Sequence, residues 1–174
     1  MRIRELNILI PTRIGEILPR QVVDSIEMQT VKCNYITYAS PKIFPVTRGR
    51  GREHEAENRN CLKKYASNPY TIYIDSDVIF TSKYDVEHLI AGIEISTFDA
   101  LALDTKGIDI KDRENAKHVI IACFIIKTEI LRKTIFRFDG KNCLCKTFNQ
   151  DCRIKYLDNL KLKEVKHSFV GRVK

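Results

Sequence analysis

The sequence predicts an α/β fold of three layers, in which helices cover both faces of a mostly parallel central sheet. Short apolar segments alternate along the chain with segments whose apolar residues recur at helical spacing, which is typical of such a sheet. The 174 residues are 44% apolar and 30% charged. This size and composition suit a single globular domain spanning residues 1–174.

The first half of the chain contains three predicted strands and two predicted helices. The strands are apolar, β-branched or aromatic, and the first two end at or next to a proline. The helices carry apolar residues three or four positions apart. In chain order these elements are strand Leu6–Ile10, helix Pro19–Gln29, strand Tyr35–Ala39, helix Glu53–Ser67 and strand Tyr70–Ile74.

The second half of the chain follows the same two patterns. A charged segment, 105–117, separates two apolar runs that predict buried strands. In chain order we expect helix Asp85–Ile95, strands Ala100–Leu103 and Val119–Ile126, helices Thr128–Thr134 and Asp151–Leu160, and an edge strand around Leu162–Phe169.

The composition restricts the cellular setting and the class of partner. The longest apolar run, Val119–Ile126, has eight residues, whereas a membrane span requires about twenty. The first residues have no secretory signal pattern, so we expect a cytoplasmic protein without a transmembrane span. The net charge of +8 favours an anionic partner such as a nucleotide, nucleic acid, phospholipid or phosphorylated acceptor.

Six cysteines are numerous for a reducing compartment. Free, mostly buried thiols are the simplest interpretation. Cys143, Cys145 and Cys152 form a cluster in sequence that leaves a disulfide or a zinc site open, although it lacks a paired C-x-x-C and an evident fourth ligand.

Two carboxylates follow the apolar strand Tyr70–Ile74 in the triplet Asp75-Ser76-Asp77. Ligands of open α/β sheets bind outside the carboxyl ends of the strands, so this triplet is predicted to lie in the ligand cleft. In an extended chain Asp75 and Asp77 point to the same side. Two neighbouring carboxylates repel each other unless a cation lies between them, and the triplet therefore predicts a divalent metal site.

A second candidate feature is the basic run from Arg48 to Arg52. Its arginines are suited to gripping phosphates in a bidentate manner, while a solvated basic loop is the alternative. The run has neither a dinucleotide glycine fingerprint nor a Walker lysine. The polar residues Asn58 and Arg59 lie on the following predicted helix and are expected to reach the same cleft.

These segments together resemble the glycosyltransferases of the GT-A fold, particularly family two. The resemblance runs in order over nearly the whole chain. It rests on five segments: Asn7–Arg13, Gln21–Thr30, Asn58–Asn60, Tyr73–Val78 and Cys123–Ile126. It implies a transferase that takes a sugar from a nucleoside-diphosphate donor and uses Mn²⁺ or Mg²⁺ at the D-x-D motif.

The resemblance also implies roles for individual residues. The donor-binding residues would be Pro11, Thr12, Arg13, Asn58, Arg59, Asp75 and Ser76, to which the basic run adds Arg50 and Arg52 on its own chemistry. The metal ligands would be Asp75, Asp77 and the late histidine His167. Asp151, expected near the start of a late helix, would be the catalytic base, and an ordinary carboxylate at a helix start is the alternative.

The sequence departs from the family pattern at two points. Ser40-Pro41-Lys42 stands where an acidic residue often reads the base, so the nucleotide is not specified. The chain is also short for the family, which leaves little sequence for an acceptor site, and the acceptor is not specified. A catalytically silent GT-A domain and a nucleic-acid-binding module remain alternatives, the latter without a recognised binding motif.

Overall fold

A seven-stranded sheet forms the middle layer of the protein. The computed structural model describes residues 5–41, 51–66, 69–106, 119, 121–138, 143–164 and 168–169. The strands are β1 Glu5–Pro11, β2 Glu16–Ile17, β3 Lys32–Tyr38, β4 Tyr70–Ile74, β5 Val78–Ile79, β6 Ala100–Lys106, β7 Cys123–Lys127, β8 Ile154–Glu164 and β9 Ser168–Phe169. The helices are α1 Arg20–Glu27, α2 Gly51–Leu62, α3 Asp85–Ile95, α4 Thr128–Lys133 and α5 Leu144–Asp151, and a 3₁₀ turn, Lys63–Tyr65, follows α2.

The predicted sheet is confirmed as mostly parallel. The strand order is β3-β1-β4-β7-β6-β8-β5, and β2 pairs with β9 in a separate two-stranded ribbon. Five of the seven strands run in one direction, while β5 and β7 are antiparallel to their neighbours. The carboxyl ends of β1, β3 and β4 therefore meet at one edge of the sheet, where the sequence places its candidate site.

Alternation along the strands creates a core on each face of the sheet. On β4, Ile72 and Ile74 pack with α1 and α3 on one face, whereas Tyr73 packs with α2 and α5 on the other. Both faces are thus covered by helices, and the predicted three layers are confirmed.

The predicted helix Asp151–Leu160 is wrong. A helix, α5, ends at the first residue of this segment, and Ile154–Glu164 is instead strand β8. The prediction relied on the three-residue spacing of Ile154 and Leu157, which a short segment also shows by chance. Pairing with β6 on one side and β5 on the other satisfies the backbone of this segment as a strand.

The described helices are short. The longest, α2, has twelve residues, and none of the helices in the described part of the chain has the length and apolar character that a bilayer crossing requires.

The packing of α3 on β8 gives a test of this correction. A Cβ atom at Gly92 of α3 would lie 3.0 Å from Cδ1 of Leu157 on β8 and 3.2 Å from Cδ1 of Leu101 on β6. We expect Gly92→Leu to lower the free energy of unfolding by about 1–3 kcal/mol because it overpacks this contact. Urea denaturation measures the change.

The matched control is Ala91→Leu, at the neighbouring exposed position of the same helix. It is expected to change the free energy of unfolding by less than about 0.5 kcal/mol. Equal stability of the two leucine variants would contradict the packing of α3 against Leu157.

Candidate functional site

The loops after β1 and β3 are joined at the carboxyl edge of the sheet by a buried asparagine. Asn58 of α2 donates from Nδ2 to the carbonyl oxygen of Thr12 (2.7 Å), and its Oδ1 accepts from the backbone N–H of Ser40 (2.7 Å). The N–H of Thr12 in turn donates to the carbonyl of Tyr38 at the end of β3 (3.0 Å). The side-chain amide of Asn58 thereby holds the two loops together. Pro11, at the end of β1, and Thr12, in the loop that follows, are both buried.

Arg59, the next residue of α2, has no exposed surface. Its Nη2 lies 2.5 Å from Oδ1 of Asp75 and 2.9 Å from Oε1 of Glu55, and its Nε donates to the same Glu55 oxygen at 3.1 Å. The third nitrogen, Nη1, is buried without a hydrogen-bond partner. Arg59 therefore lies under Asp75 and acts on the cleft through that carboxylate.

Aromatic rings enclose the guanidinium of Arg59. Its Cζ lies 5.4 Å from the ring centroid of Tyr73, 5.8 Å from that of Phe124 and 5.9 Å from that of Phe136. Such distances are those of cation–π contacts. The hydroxyl of Tyr73 also donates to the carbonyl oxygen of Arg59 at 2.7 Å, so strand β4 fixes both the main chain and the side chain of this residue.

The Asp75-Ser76-Asp77 triplet forms the turn between β4 and β5. The N–H of Asp75 donates to the carbonyl of Ala122 (2.8 Å), and the N–H of Val78 donates to the carbonyl of Asp75 (3.1 Å). The Asp75 side chain is 34% exposed, and that of Asp77 is partly exposed. The turn thus presents both carboxylates at the surface while its backbone is anchored in the sheet.

Partial burial raises the pKa of Asp75 above its usual value, although Arg59 opposes this shift. The carboxylates of Glu55 and Asp77 raise the pKa further. Burial alone lowers the pKa of Arg59, but Asp75 and Glu55 more than compensate and raise it. One guanidinium is therefore shared among acidic groups that carry more negative charge than it neutralises, a condition that favours a bound cation.

Glu16 ties the loop after β1 to this turn, although no sequence motif points to it. Its Oε2 accepts from the N–H of Arg13 (2.6 Å), and Oε1 accepts from the hydroxyl of the buried Ser76. Gly15 has a φ of 76°, a conformation that glycine adopts without strain and that returns the chain toward the site. Arg13 is exposed next to this loop.

Asp151 does not lie at a helix start. It is the last residue of α5, and its Oδ1 is 3.1 Å from Nη2 of Arg137. Strand β8 begins three residues after Asp151, at Ile154, which lies opposite Ala100 of β6. Ala100 lies opposite Ile126 of β7, and Ile126 lies opposite Thr71 of β4, so Ile154 and Thr71 are at the same level of the sheet. Asp75 is four residues beyond Thr71, so the start of β8 lies roughly 13 Å short of the D-x-D turn along the strand direction.

Three other predicted site residues lie outside the described side chains. Arg50 and His167 are outside the described residues, and Arg52 lies in the first turn of α2 with a side chain that is outside them. The described site therefore consists of the D-x-D turn, the Glu55–Arg59 pair of α2, and Glu16 at the start of β2.

The cysteines do not form a second site. None of the six is in a disulfide. Cys143 caps the start of α5, with Sγ accepting from the N–H of Lys146, while Cys152 follows the end of this eight-residue helix. A helix of that length spans about 12 Å, too far for both sulfurs to bind one zinc ion. Burial raises the pKa of Cys145 and of Cys152 to about 12, so both remain thiols.

The ion pair of Arg59 provides a test of the site. We expect Arg59→Met to lower the free energy of unfolding by about 2–3 kcal/mol, because it leaves Glu55 and Asp75 without their shared cation. The loss is below that of a fully buried pair because both carboxylates are about a third exposed. Chemical denaturation measures this change.

The control for Arg59→Met is Arg20→Met. Arg20 makes a comparable pair with Asp24 one helical turn away, but its side chain is 76% exposed. Its replacement is expected to cost less than about 0.5 kcal/mol. Similar losses in both variants would mean that burial of the Arg59 charge has no energetic importance.

The chain is similar to known proteins in structure but not in sequence. No protein-family model matches the chain, and no curated protein is significantly similar to it in sequence. Among solved structures, the S. aureus TarS fragment 1–349 matches with a TM-score of 0.62 at 15% identity, covering 92% of this chain and 60% of the fragment. The mannosyltransferase PcManGT from Pyrobaculum calidifontis, in complex with GDP-Man and Mn²⁺, matches with a TM-score of 0.62 at 14% identity, covering 93% of this chain and 56% of that one.

A third structure is similar over the full length of both chains. It is A197 from STIV, with a TM-score of 0.58 and 13% identity, covering 98% of each chain. The chain spans about 60% of the length of the TarS fragment. Taken together, these likenesses establish a GT-A-like fold, as the ordered sequence motifs predict.

Proposed function

We propose that this protein is a metal-dependent glycosyltransferase that moves a sugar from a nucleoside-diphosphate donor to an acceptor hydroxyl. The observation that carries the proposal is the pair of carboxylates, Asp75 and Asp77, in the turn after β4 of a GT-A-like fold. Two structural neighbours support it: PcManGT is in complex with GDP-Man and Mn²⁺, and the TarS fragment is also known in complex with UDP-GlcNAc.

The chemistry of the turn fits a hard divalent cation. Carboxylate oxygens are the ligands that Mg²⁺ and Mn²⁺ prefer, and the excess of acidic groups around Arg59 favours added positive charge. Within the described part of the chain, no group of three or more potential ligand side chains comes together. We propose a cation that takes its protein ligands from this turn and from His167, and its remaining ligands from donor phosphates and water.

We assign the metal ligands to Asp77 and Asp75, with Arg59 holding Asp75 in place. His167 remains a proposed third ligand; it precedes Ser168, which pairs with Ile17 next to Glu16. Arg13 and the loop of Pro11 and Thr12 are proposed to border the nucleoside.

Two further groups complete the proposed donor site. Arg50 and Arg52 are proposed to contact the diphosphate. Asn58 and Ser76 are positioning residues, because their polar groups already bind the loops that surround the donor.

In the reaction, the bond between the anomeric carbon and the diphosphate oxygen breaks, and a bond to the acceptor oxygen forms. When bound, the cation neutralises charge on the departing diphosphate. The residues of this chain contribute by preorganisation: the buried Arg59 and the Glu16–Ser76 contact fix the turn before the donor arrives, so little reorganisation is needed during the reaction. The acceptor proton passes to a base that we leave unassigned.

Asp77→Asn tests the metal site. In the wild type we expect Mn²⁺ together with UDP or GDP to raise the thermal midpoint, because a ligand of the native state stabilises it by mass action. The variant is expected to lose the Mn²⁺-dependent part of this rise while its midpoint without ligands stays near that of the wild type. Thermal-shift titrations with and without Mn²⁺ measure both quantities.

The control variant is Asp24→Asn, which removes an exposed carboxylate on α1. It is expected to retain the full response to Mn²⁺ and nucleotide. If Asp77→Asn also retained that response, the turn would not be the metal site, and a response to neither nucleotide in the wild type would contradict donor binding.

Asp151→Asn tests whether the residue is the base. Because Asp151 ends α5 and pairs with Arg137, we expect the variant to hydrolyse UDP- or GDP-sugar at the rate of the wild type. Loss of a catalytic base lowers the chemical step by about 10² or more. A decrease of that size in a folded variant, with donor affinity unchanged, would restore Asp151 as the base.

A further inference from the structure

A basic surface lies at the end of the sheet opposite the candidate site. It is made by two segments, the 3₁₀ turn after α2 and the end of α4 with the residues that follow it. We define the basic surface as Lys63, Lys64, Tyr65, Arg132, Lys133 and Ile135.

Hydrogen bonds hold the two segments side by side. Nζ of Lys63 donates to the carbonyl of Thr134 (2.5 Å), and Nη2 of Arg132 donates to the carbonyl of Ala66 (3.2 Å). The side-chain amide of Asn60 pairs with both the N–H and the carbonyl of Phe136. The exposed side chains of the two segments therefore form one continuous surface on a rigid base.

The charge of this surface is strongly positive. Residues 63–66 and 128–136 contain four cations and one carboxylate, Glu129, a net charge of +3 (4 − 1). Glu129 lies in the first turn of α4, whereas Arg132 and Lys133 lie in its last turn. Lys64, Arg132 and Lys133 are all exposed.

Large apolar groups are exposed among these cations. Ile135 is 59% exposed and Tyr65 is 40% exposed. Nζ of Lys64 lies 4.9 Å from the centroid of the Tyr65 ring. Aliphatic and tyrosine side chains surrounded by lysine and arginine are typical of surfaces that enter the headgroup region of a bilayer.

We propose that the basic surface binds anionic phospholipid membranes, with Ile135 and Tyr65 entering the interface and the exposed cations Lys64, Arg132 and Lys133 contacting lipid headgroups. A nucleic acid fits less well, because Ile135 has no ring on which a base stacks and Lys64 already covers one face of Tyr65. The proposal does not depend on the glycosyltransferase activity, since the surface shares no residue with the site.

The position of the surface has a consequence for the site. β4 starts just after the 3₁₀ turn and ends at the D-x-D turn, so the length of that strand separates the two. Docking through the basic surface leaves the D-x-D turn facing away from the membrane. Donor binding is therefore expected to be the same with and without bound vesicles.

The test is flotation of the full chain with phosphatidylcholine vesicles that contain or lack phosphatidylserine. We expect binding to the anionic vesicles alone and a decrease at high salt. Each basic residue close to an anionic surface strengthens binding about fivefold. Lys64→Glu/Arg132→Glu/Lys133→Glu is therefore expected to weaken binding more than about a hundredfold.

The matched control is Lys32→Glu/Lys83→Glu/Lys155→Glu, which makes the same change in net charge at exposed lysines elsewhere. Lys83 is a close counterpart of Lys64, since its Nζ lies 5.0 Å from the ring centroid of the exposed Tyr84. The control is expected to bind vesicles far more tightly than the basic-surface variant. Ile135→Ser, which keeps every charge, is expected to weaken binding several-fold.

Three outcomes would overturn the proposal. They are absence of binding to anionic vesicles, equal weakening by the two triple variants, and full binding by Ile135→Ser. Binding of a single-stranded oligonucleotide that is lost in the basic-surface variant, without vesicle binding, would instead identify a nucleic-acid surface. Circular dichroism of each variant shows whether it is folded, and a loss of binding counts only for a folded variant.

Discussion

The buried charge of Arg59 is the interaction on which the architecture of the site depends. A guanidinium without exposed surface is costly unless carboxylates and aromatic rings surround it, and here both are present. Glu55 belongs to the same helix, Asp75 to the turn after β4, and the rings of Tyr73, Phe124 and Phe136 to the sheet and the chain after α4. Satisfying one cation thus fixes α2, the D-x-D turn and one face of the core relative to one another.

This arrangement has an electrostatic consequence. Arg59 is a cation beneath the cleft, but Asp75, Asp77 and Glu55 outnumber it, and partial burial together with this crowding raises the pKa of Asp75. Arg59 orients the turn through its ion pair with Asp75, but its single positive charge does not neutralise the three carboxylates around it. The same device therefore makes the turn rigid and leaves it attractive to a divalent ion.

The fold was largely predictable from the sequence because the apolar residues of β1, β4 and α3 follow a strand or helix pattern over the length of each element. The segment after Asp151 was not, because Ile154 and Leu157 fit a helix as well as a strand and the decision depends on pairing with β6 and β5. The D-x-D turn was predictable from its position after an apolar strand. The burial of Arg59 was not, although Glu55 four residues earlier was a usable signal of an ion pair.

Net charge predicted an anionic partner, but it does not say which end of the molecule meets that partner. Among the described residues, the D-x-D end carries the carboxylates of Asp75, Asp77, Glu55 and Glu16 against the cations Arg13 and Arg59, whereas the 3₁₀ turn and the end of α4 carry four cations and one carboxylate. In the proposed donor site, the cation held by the D-x-D turn and the arginines Arg50 and Arg52 together attract the anionic diphosphate, so donor binding depends in part on the metal. The proposed membrane surface needs no metal, so the two proposals predict different responses: donor binding responds to the metal, whereas vesicle binding responds to ionic strength.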